Sequence, residues 1–417
     1  MVWPEVGIYV GEGASHSWTW FADIFDRKGI CSVRFFDEAA IADGALDAID
    51  VLFISGGDTF AIAEGLGSTG AAKLEAFITA GGVYIGSCAG AYLPLKSSLF
   101  PLNQFNFVFS RITNLTKNLP APKQMAEKFC TEYGCRYVFH PVREEVRVKI
   151  AGGFSCVGQE LSVPLYGGPA MTASDDIEVL AYYTGFTDKT AFLVDREVAE
   201  QTLIGNVAIA RKRLGQGVLY LLGPHFEHPH YPEANSIIFE AMLDGYAGPR
   251  LQHDSAESAC EEPGIVNRNL MRAFKGEISN GRIVALALER KSLQWLIGKK
   301  VYDPEKIRVF LEAVWSRISV IDRVECMAEE EGYYLLHTAQ SVTTMLKTLK
   351  NESDAGPAVT VAAEELFAEL KALAAAFLTL YFRFKELRDP GGTEFRSIKT
   401  PKLHTPQLHN SLPEEAT

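Results

Sequence analysis

Short apolar runs alternate with amphipathic stretches along the first 250 residues of this chain, and the alternation then stops. Residues 6–10, 32–36, 51–55 and 83–85 are rich in β-branched, aliphatic and aromatic residues and read as buried strands. Between them, residues 17–28 and 71–79 carry apolar stripes at helical spacing, and 59–65 reads as helical too. Residues 39–49 read as helix or loop, because Gly44 weakens a helix there. Strand and helix at crossover spacing predict an α/β fold with a mostly parallel sheet flanked by helices.

Residues 93–163 break this rhythm with Pro, Asn and aromatic side chains. A helix is expected around 122–133 and a β-rich piece at 142–150, so the stretch reads as an insertion that walls a pocket. Further strands are expected at 161–165, 177–183 and 191–195. Residues 207–213 and 218–222, joined by Leu214-Gly-Gln-Gly217, predict a hairpin, and a helix over 231–246 closes the unit. Past Gly248-Pro249 the pattern becomes helical from about 262 to 388, with long apolar stripes at 306–328 and 362–387. The organisation expected is therefore an α/β unit over 1–250, a linker over 251–261, an all-α bundle over 262–388 and a disordered tail over 389–417.

A chain of 417 residues suits two such units. The net charge of −12 argues against a nucleic-acid surface or an anionic-membrane anchor. No apolar run approaches a membrane span, and the N-terminus lacks the pattern of a signal peptide, so a cytoplasmic location is expected. Seven irregularly spaced cysteines form neither a disulfide framework nor a zinc signature; Cys130 and Cys135 read as ordinary thiols. Asn114-Leu-Thr116 matches a glycosylation triplet, which carries no meaning without secretion.

Candidate chemistry concentrates in Gly81-Gly-Val-Tyr-Ile-Gly-Ser-Cys-Ala-Gly-Ala-Tyr-Leu93. It reads as a strand, a tight turn and a helix, with one thiol at the apex. Gly86 and Gly90 flank Cys88 at the two places where a Cβ would crowd such a turn. A sulfur at a helix N-terminus is favoured as thiolate. Downstream, His225 and Glu227 stand just past an apolar run and, two apart in extended chain, point to one side. Glu227 is then able to orient the imidazole while its other nitrogen faces Cys88. The bland alternative is a buried structural cysteine. The cluster His225-x-Glu227-His228-x-His230 also suggests metal, but Pro229 scatters the side chains and no distant ligand is evident; neither a metal nor a cofactor is expected. Gly65-Leu-Gly-Ser-Thr-Gly70 matches a dinucleotide fingerprint by letter without the strand that motif requires. The run Glu329-Glu-Glu331 reads as a solvated helix end, and residues 377–384 as bundle core.

Four motifs taken together resemble the class I glutamine amidotransferase-like superfamily, with its flavodoxin-like sheet, and within it the biotin-protein ligase N-terminal domain. They are Ile54-Ser-Gly-Gly-Asp58, the segment around Cys88, Tyr166-Gly-Gly168 and Gly223-Pro-His-Phe-Glu227. The resemblance implies a Cys88–His225–Glu227 triad acting on an amide carbonyl. It further implies an oxyanion site built from the backbone N–H of Gly57 or Asp58 and of Ala89, and a place beside the pocket for Gly167 and Gly168. Tyr92 departs from the pattern, since glutaminases of the superfamily carry Gln at that place. Residues 262–388 show no adenylate-binding loop or mixed α/β ligase domain, so ligase activity is not implied. Two functions follow as expectations. One is a cysteine-dependent amide hydrolase or amidotransferase-like enzyme acting on a small amide-bearing molecule. The other is a catalytically idle binding or regulatory module of the same fold. The helical unit is expected to report occupancy, to dock a protein partner or to form a homodimer.

Overall fold

The computed structural model describes residues 3–119, 136–244, 246, 268–321, 327–352 and 358–388. Strands β1 (Val6–Tyr9), β2 (Val33–Phe36), β3 (Val51–Ile54) and β4 (Val83–Ser87) alternate with helices α1 (Trp18–Lys28), α2 (Glu38–Ala42) and α3 (Thr59–Thr79). Helix α2 is capped by Asp37, whose carboxylate accepts from Ala40 N–H at 2.8 Å, and it is cut short where Gly44 turns left-handed at φ 95°. Through residues 65–70 helical structure continues to Thr79, and only Gly67 leaves helical geometry.

The four-residue helix α4 (Ala89–Tyr92) follows β4 directly. Next come β5 (Val142–Arg143), β6 (Glu145–Ile150), β7 (Glu160–Pro164), β8 (Glu178–Phe186), β9 (Ala191–Phe192), helix α5 (Arg196–Leu203), β10 (Val207–Leu214), β11 (Gly217–Leu222) and helix α6 (Pro232–Asp244). The expected strand over 142–150 is divided by Glu144, a non-glycine residue at φ 68°. The helix expected at 122–133, Cys130 and Cys135, the linker at 251–261 and the tail at 389–417 lie outside the described residues.

Nine strands form one sheet in the order β2-β1-β3-β4-β11-β10-β8-β6-β7. It is mixed, which corrects the expectation of a mostly parallel sheet. The pairs from β2 to β11 are parallel, and those from β11 to β7 are antiparallel. The reason is connection length: β10 and β11 are joined through Gly215 and Gln216, far too few residues for a parallel crossover. Burial follows the pairing. Every residue of β4 and β11 is buried, as suits strands covered on both faces, while β6 and β7 alternate buried and exposed positions.

The C-terminal part contains α7 (Arg268–Glu289), β12 (Trp295–Ile297), β13 (Lys300–Tyr302), α8 (Pro304–Trp315), α9 (Ile318–Ile321), α10 (Glu329–Glu352) and α11 (Ala358–Arg388). It is not wholly helical: β12 and β13 pair as an antiparallel hairpin, with Trp295 opposite Tyr302 and both rings against Phe367 of α11. Within the stripe expected over 306–328 the described residues form two helices, α8 and the short α9. Helices α8 and α11 pack onto α1 and the β2 edge. Phe310 meets Trp18 and Phe382 meets Phe35, each pair of ring centroids 6.0 Å apart. Arg317 pairs with Asp23 and Asp26, and Tyr381 donates to Asp26 at 2.9 Å. Among the described residues no helix is long and apolar enough to cross a membrane.

Candidate active site

Strand register brings the two distant motifs together. Strands β4 and β11 are adjacent and parallel, with Ser87 opposite Leu222, so both chains leave the sheet at the same end. Cys88 then donates its backbone N–H to Leu222 O at 2.9 Å. Strand β3 lies on the other flank of β4, with Ile54 opposite Gly86, and sends the Ser55–Asp58 loop to the same place. Cys88 sits at φ 53°, ψ −106°, a backbone conformation that costs a non-glycine residue about 1–3 kcal/mol. The close fit around it requires glycine. A Cβ on Gly86 would stand 2.2 Å from Gly90 O, and one on Gly90 would stand 2.0 Å from Ile54 O.

The Cys88 thiol faces the His225 ring, and each group shifts the protonation of the other. Nδ1 of His225 is committed to Glu227 Oε1 at 2.7 Å, which leaves Nε2 for the sulfur. Glu227 is wholly buried, and Ser87 Oγ donates to its two oxygens at 3.0 and 2.9 Å. Burial alone would depress the His225 pKa, but the Glu227 carboxylate and the Cys88 sulfur outweigh it and lift the imidazole to about 9. Burial likewise pushes the thiol up; the charge and hydrogen bond of His225, helped by Lys300, bring Cys88 below its ordinary value. The two shifts both favour the thiolate–imidazolium form of the pair.

Around this pair opens a cleft of ≈ 1450 Å³. His16, His140 and His228 line it as neutral rings: burial, aided by nearby cations, holds His16 well below its ordinary value and pushes His140 and His228 down to about 3. Trp20 of α1 packs against His225 and His228, with centroids at 5.4 and 4.5 Å. The insertion does wall the cleft, through residues that include Leu95, Asn118 and His140. Asn114 and Thr116 of the triplet are buried, Asn114 fully.

The other expected site residues also gather here. Gly57, Asp58, Ala89, Tyr92 and Gly167 line the cleft, and Gly168 packs against Cys88, where a Cβ would stand 3.2 Å from Cys88 Cα. Asp58 is corrected as a backbone donor, because its N–H is consumed by Gly13 O at 2.9 Å. Among the described residues the N–H groups of Gly57 and Ala89 have no acceptor within the protein. The Asp58 carboxylate caps α3 and also accepts from Lys299 N–H at 2.6 Å. Tyr92 donates its hydroxyl to Gly167 O at 3.2 Å and accepts from Asn114. Among the described residues no group of three or more His, Cys, Asp or Glu side chains is arranged to hold a metal ion.

Several lining residues escape a reading of the sequence, above all Lys300. Its hairpin carries a legible signal, Gly298-Lys299 between two short β-prone runs, overshadowed by the helical pattern on either side. Lys300 Nζ donates to Ser15 Oγ at 2.9 Å, and Ser15 is within 3.5 Å of Ser17, which borders Gly56 beside His225.

No curated protein matches this sequence. Solved structures overlap it loosely. A beta-galactosidase from Bacillus circulans sp. alkalophilus shares 13% identity at a TM-score of 0.34, over 58% of this chain and 31% of that one. A cytoplasmic protein from Salmonella typhimurium LT2 shares 11% identity at 0.32, over 58% of this chain and 97% of its own. This chain thus spans about a third of the first of these relatives. The family model for the N-terminal domain of biotin-protein ligase matches residues 33–242, half of the sequence and the part that contains Cys88, His225 and Glu227, so the chain belongs to the biotin-protein ligase N-terminal family.

Proposed function

We propose that this protein is a cysteine-dependent amide hydrolase or amidotransferase-like enzyme whose sheet is arranged as in the class I glutamine amidotransferase-like superfamily. One observation carries the reading: a thiol at a strained strand-to-helix turn is paired with an imidazole whose far nitrogen is held by a buried carboxylate. Cys88 is the nucleophile, His225 the acid and base, and Glu227 the group that orients the ring and stabilises its charge.

In the first step the Cys88 sulfur forms a bond to the amide carbonyl carbon, and the carbonyl π pair moves to oxygen. The N–H groups of Ala89 and Gly57 are the available donors for that oxyanion. As the tetrahedral species collapses, the C–N bond breaks and His225 gives its proton to the departing amine. Water, or an acceptor amine, then attacks the thioacyl carbon while neutral His225 takes up its proton. The C–S bond breaks and the thiolate–imidazolium pair returns.

The test is incubation of the full chain with a panel of primary and N-acyl amides, reading amine release together with acyl adducts by mass spectrometry. An adduct on Cys88, with release abolished in Cys88→Ala, is expected. Release that persists in Cys88→Ala would defeat the reading.

A second reading, a binding module without turnover, draws on Tyr92. Tyr92 stands at the motif position where glutaminases carry Gln, and its hydroxyl is tied to Gly167 and Asn114. A ligand-induced rise in melting temperature retained in Cys88→Ala, with no amide turned over, would favour it.

A further inference from the structure

A cation from the C-terminal part, Lys300, enters the cleft without an ion-pair partner among the described residues. It comes from the C-terminal hairpin and bonds Ser15 Oγ. Basic side chains outnumber acidic ones two to one around the cleft, in a chain of net charge −12. The four acids there are already engaged. Asp58 accepts from Phe60 and Lys299 N–H, Asp303 pairs with Lys306, Glu305 pairs with Arg308, and Glu144 accepts from the Tyr166 hydroxyl. A cation withdrawn from water without a counter-charge is costly, and a bound anion removes that cost.

The hairpin is fixed in place rather than resting on the surface. Trp295 and Tyr302 anchor it to Phe367, Lys299 N–H is held by Asp58, and the Lys299 ammonium lies 4.4 Å from the centre of the Phe60 ring. Gly298 turns at φ 59° where a Cβ would stand 2.7 Å from Asp58 Oδ2, so the turn fits that carboxylate closely. Both clamps belong to the loop and helix that follow β3, the same loop that supplies Gly57 to the site. The electric field of Lys300 reaches the sulfur, since it is among the charges that lower the Cys88 thiol.

We propose that the β12–β13 hairpin completes the site, and that Lys300 binds a negatively charged group, carboxylate or phosphate, on the amide substrate. This deepens the enzymatic reading and rests on it for the identity of the reacting bond. The helical part then acts in substrate selection, and neutral amides are poor substrates.

The test compares alkylation of Cys88 in the full chain by iodoacetate, an anion, and by iodoacetamide, its neutral counterpart. Any effect of Lys300 on thiolate content alters both rates alike, so their ratio isolates anion recognition. In Lys300→Gln the iodoacetate-to-iodoacetamide ratio should fall about tenfold, the fold-change equivalent to about 1.4 kcal/mol and the scale of one charge-assisted contact. Lys300→Arg should preserve most of it. A ratio unchanged by Lys300→Gln overturns the inference. Should neither reagent modify Cys88, the triad reading fails, and calorimetry with glutarate and with inorganic phosphate decides the anion site separately. Binding of either anion that weakens about tenfold in Lys300→Gln upholds it and identifies the preferred charge. Equal binding in both proteins, or none, overturns it.

Discussion

Replacing His225 with glutamine isolates the group that sets the Cys88 thiol. Alanine would be a poor choice, because Glu227 is wholly buried and, among the described residues, keeps only Ser87 as a side-chain donor once the imidazole is gone. Stranding a buried charge costs about 3–5 kcal/mol. Glutamine retains an N–H donor for that carboxylate while removing the positive charge. In the native protein burial pushes the thiol up, and the His225 charge and hydrogen bond reverse this, with Lys300 assisting and Glu227 opposing. Without His225 the thiol moves upward. Each unit of rise removes about nine-tenths of the thiolate at a fixed lower pH, about 1.4 kcal/mol. The assay is the rate of iodoacetamide modification of Cys88 against pH, followed by mass spectrometry. The sign follows from the two shifts. A lowered thiol is ionised above its folded pKa, and a raised imidazole stays charged up to about 9, so the native rate should plateau between these limits. His225→Gln should abolish the plateau, climb steadily past pH 9 and react at least about tenfold more slowly at pH 7. Coincident profiles for the two proteins would refute the coupling of the two side chains.

Three further outcomes follow from the geometry. Gly90→Ala should destabilise the fold by more than about 3 kcal/mol in urea unfolding, because its Cβ meets the Ile54 carbonyl oxygen at 2.0 Å and backbone has little room to yield; near-native stability would contradict this. Asp58→Ala removes the cap of α3 and the anchor of the hairpin together, so a loss of about 1–2 kcal/mol and faster hydrogen exchange at the Lys299 amide are expected; unchanged protection there would show that the clamp is unimportant. Lys300→Met should stabilise the protein by about 1 kcal/mol at pH 7. Burial pushes the Lys300 pKa down to about 8 from an ordinary 10.5, so the penalty for its charge is present in full below 8 and gone above 10.5. The gain in melting temperature should therefore shrink as pH rises through that window, and a gain independent of pH would count against a charge-based cause.

The sequence by itself determined the local chemistry. Gly86-Ser-Cys-Ala-Gly90 specifies a tight strand-to-helix turn because a Cβ on either glycine meets backbone; His225 and Glu227 do meet, but across a turn closed by His228 N–H on His225 O at 3.2 Å rather than through the two-residue period of the extended chain expected. The strands β1 to β4 and the hairpin of β10 and β11 were likewise legible as short β-prone runs, with glycines marking the ends of β3, the start of β4 and the turn between β10 and β11. Long-range placement was not. Whether Cys88 and His225 meet depends on β11 docking parallel to β4 in one register, a choice made by burial on both faces of the sheet rather than by either segment alone. The spent N–H of Asp58 depends on the approach of Gly13, and the place of Lys300 in the cleft depends on a hairpin more than 200 residues from Cys88 in sequence, held by Asp58 and Phe367. Pattern along the chain reports which face of an element is buried; which partner buries it is decided only when the whole chain is packed.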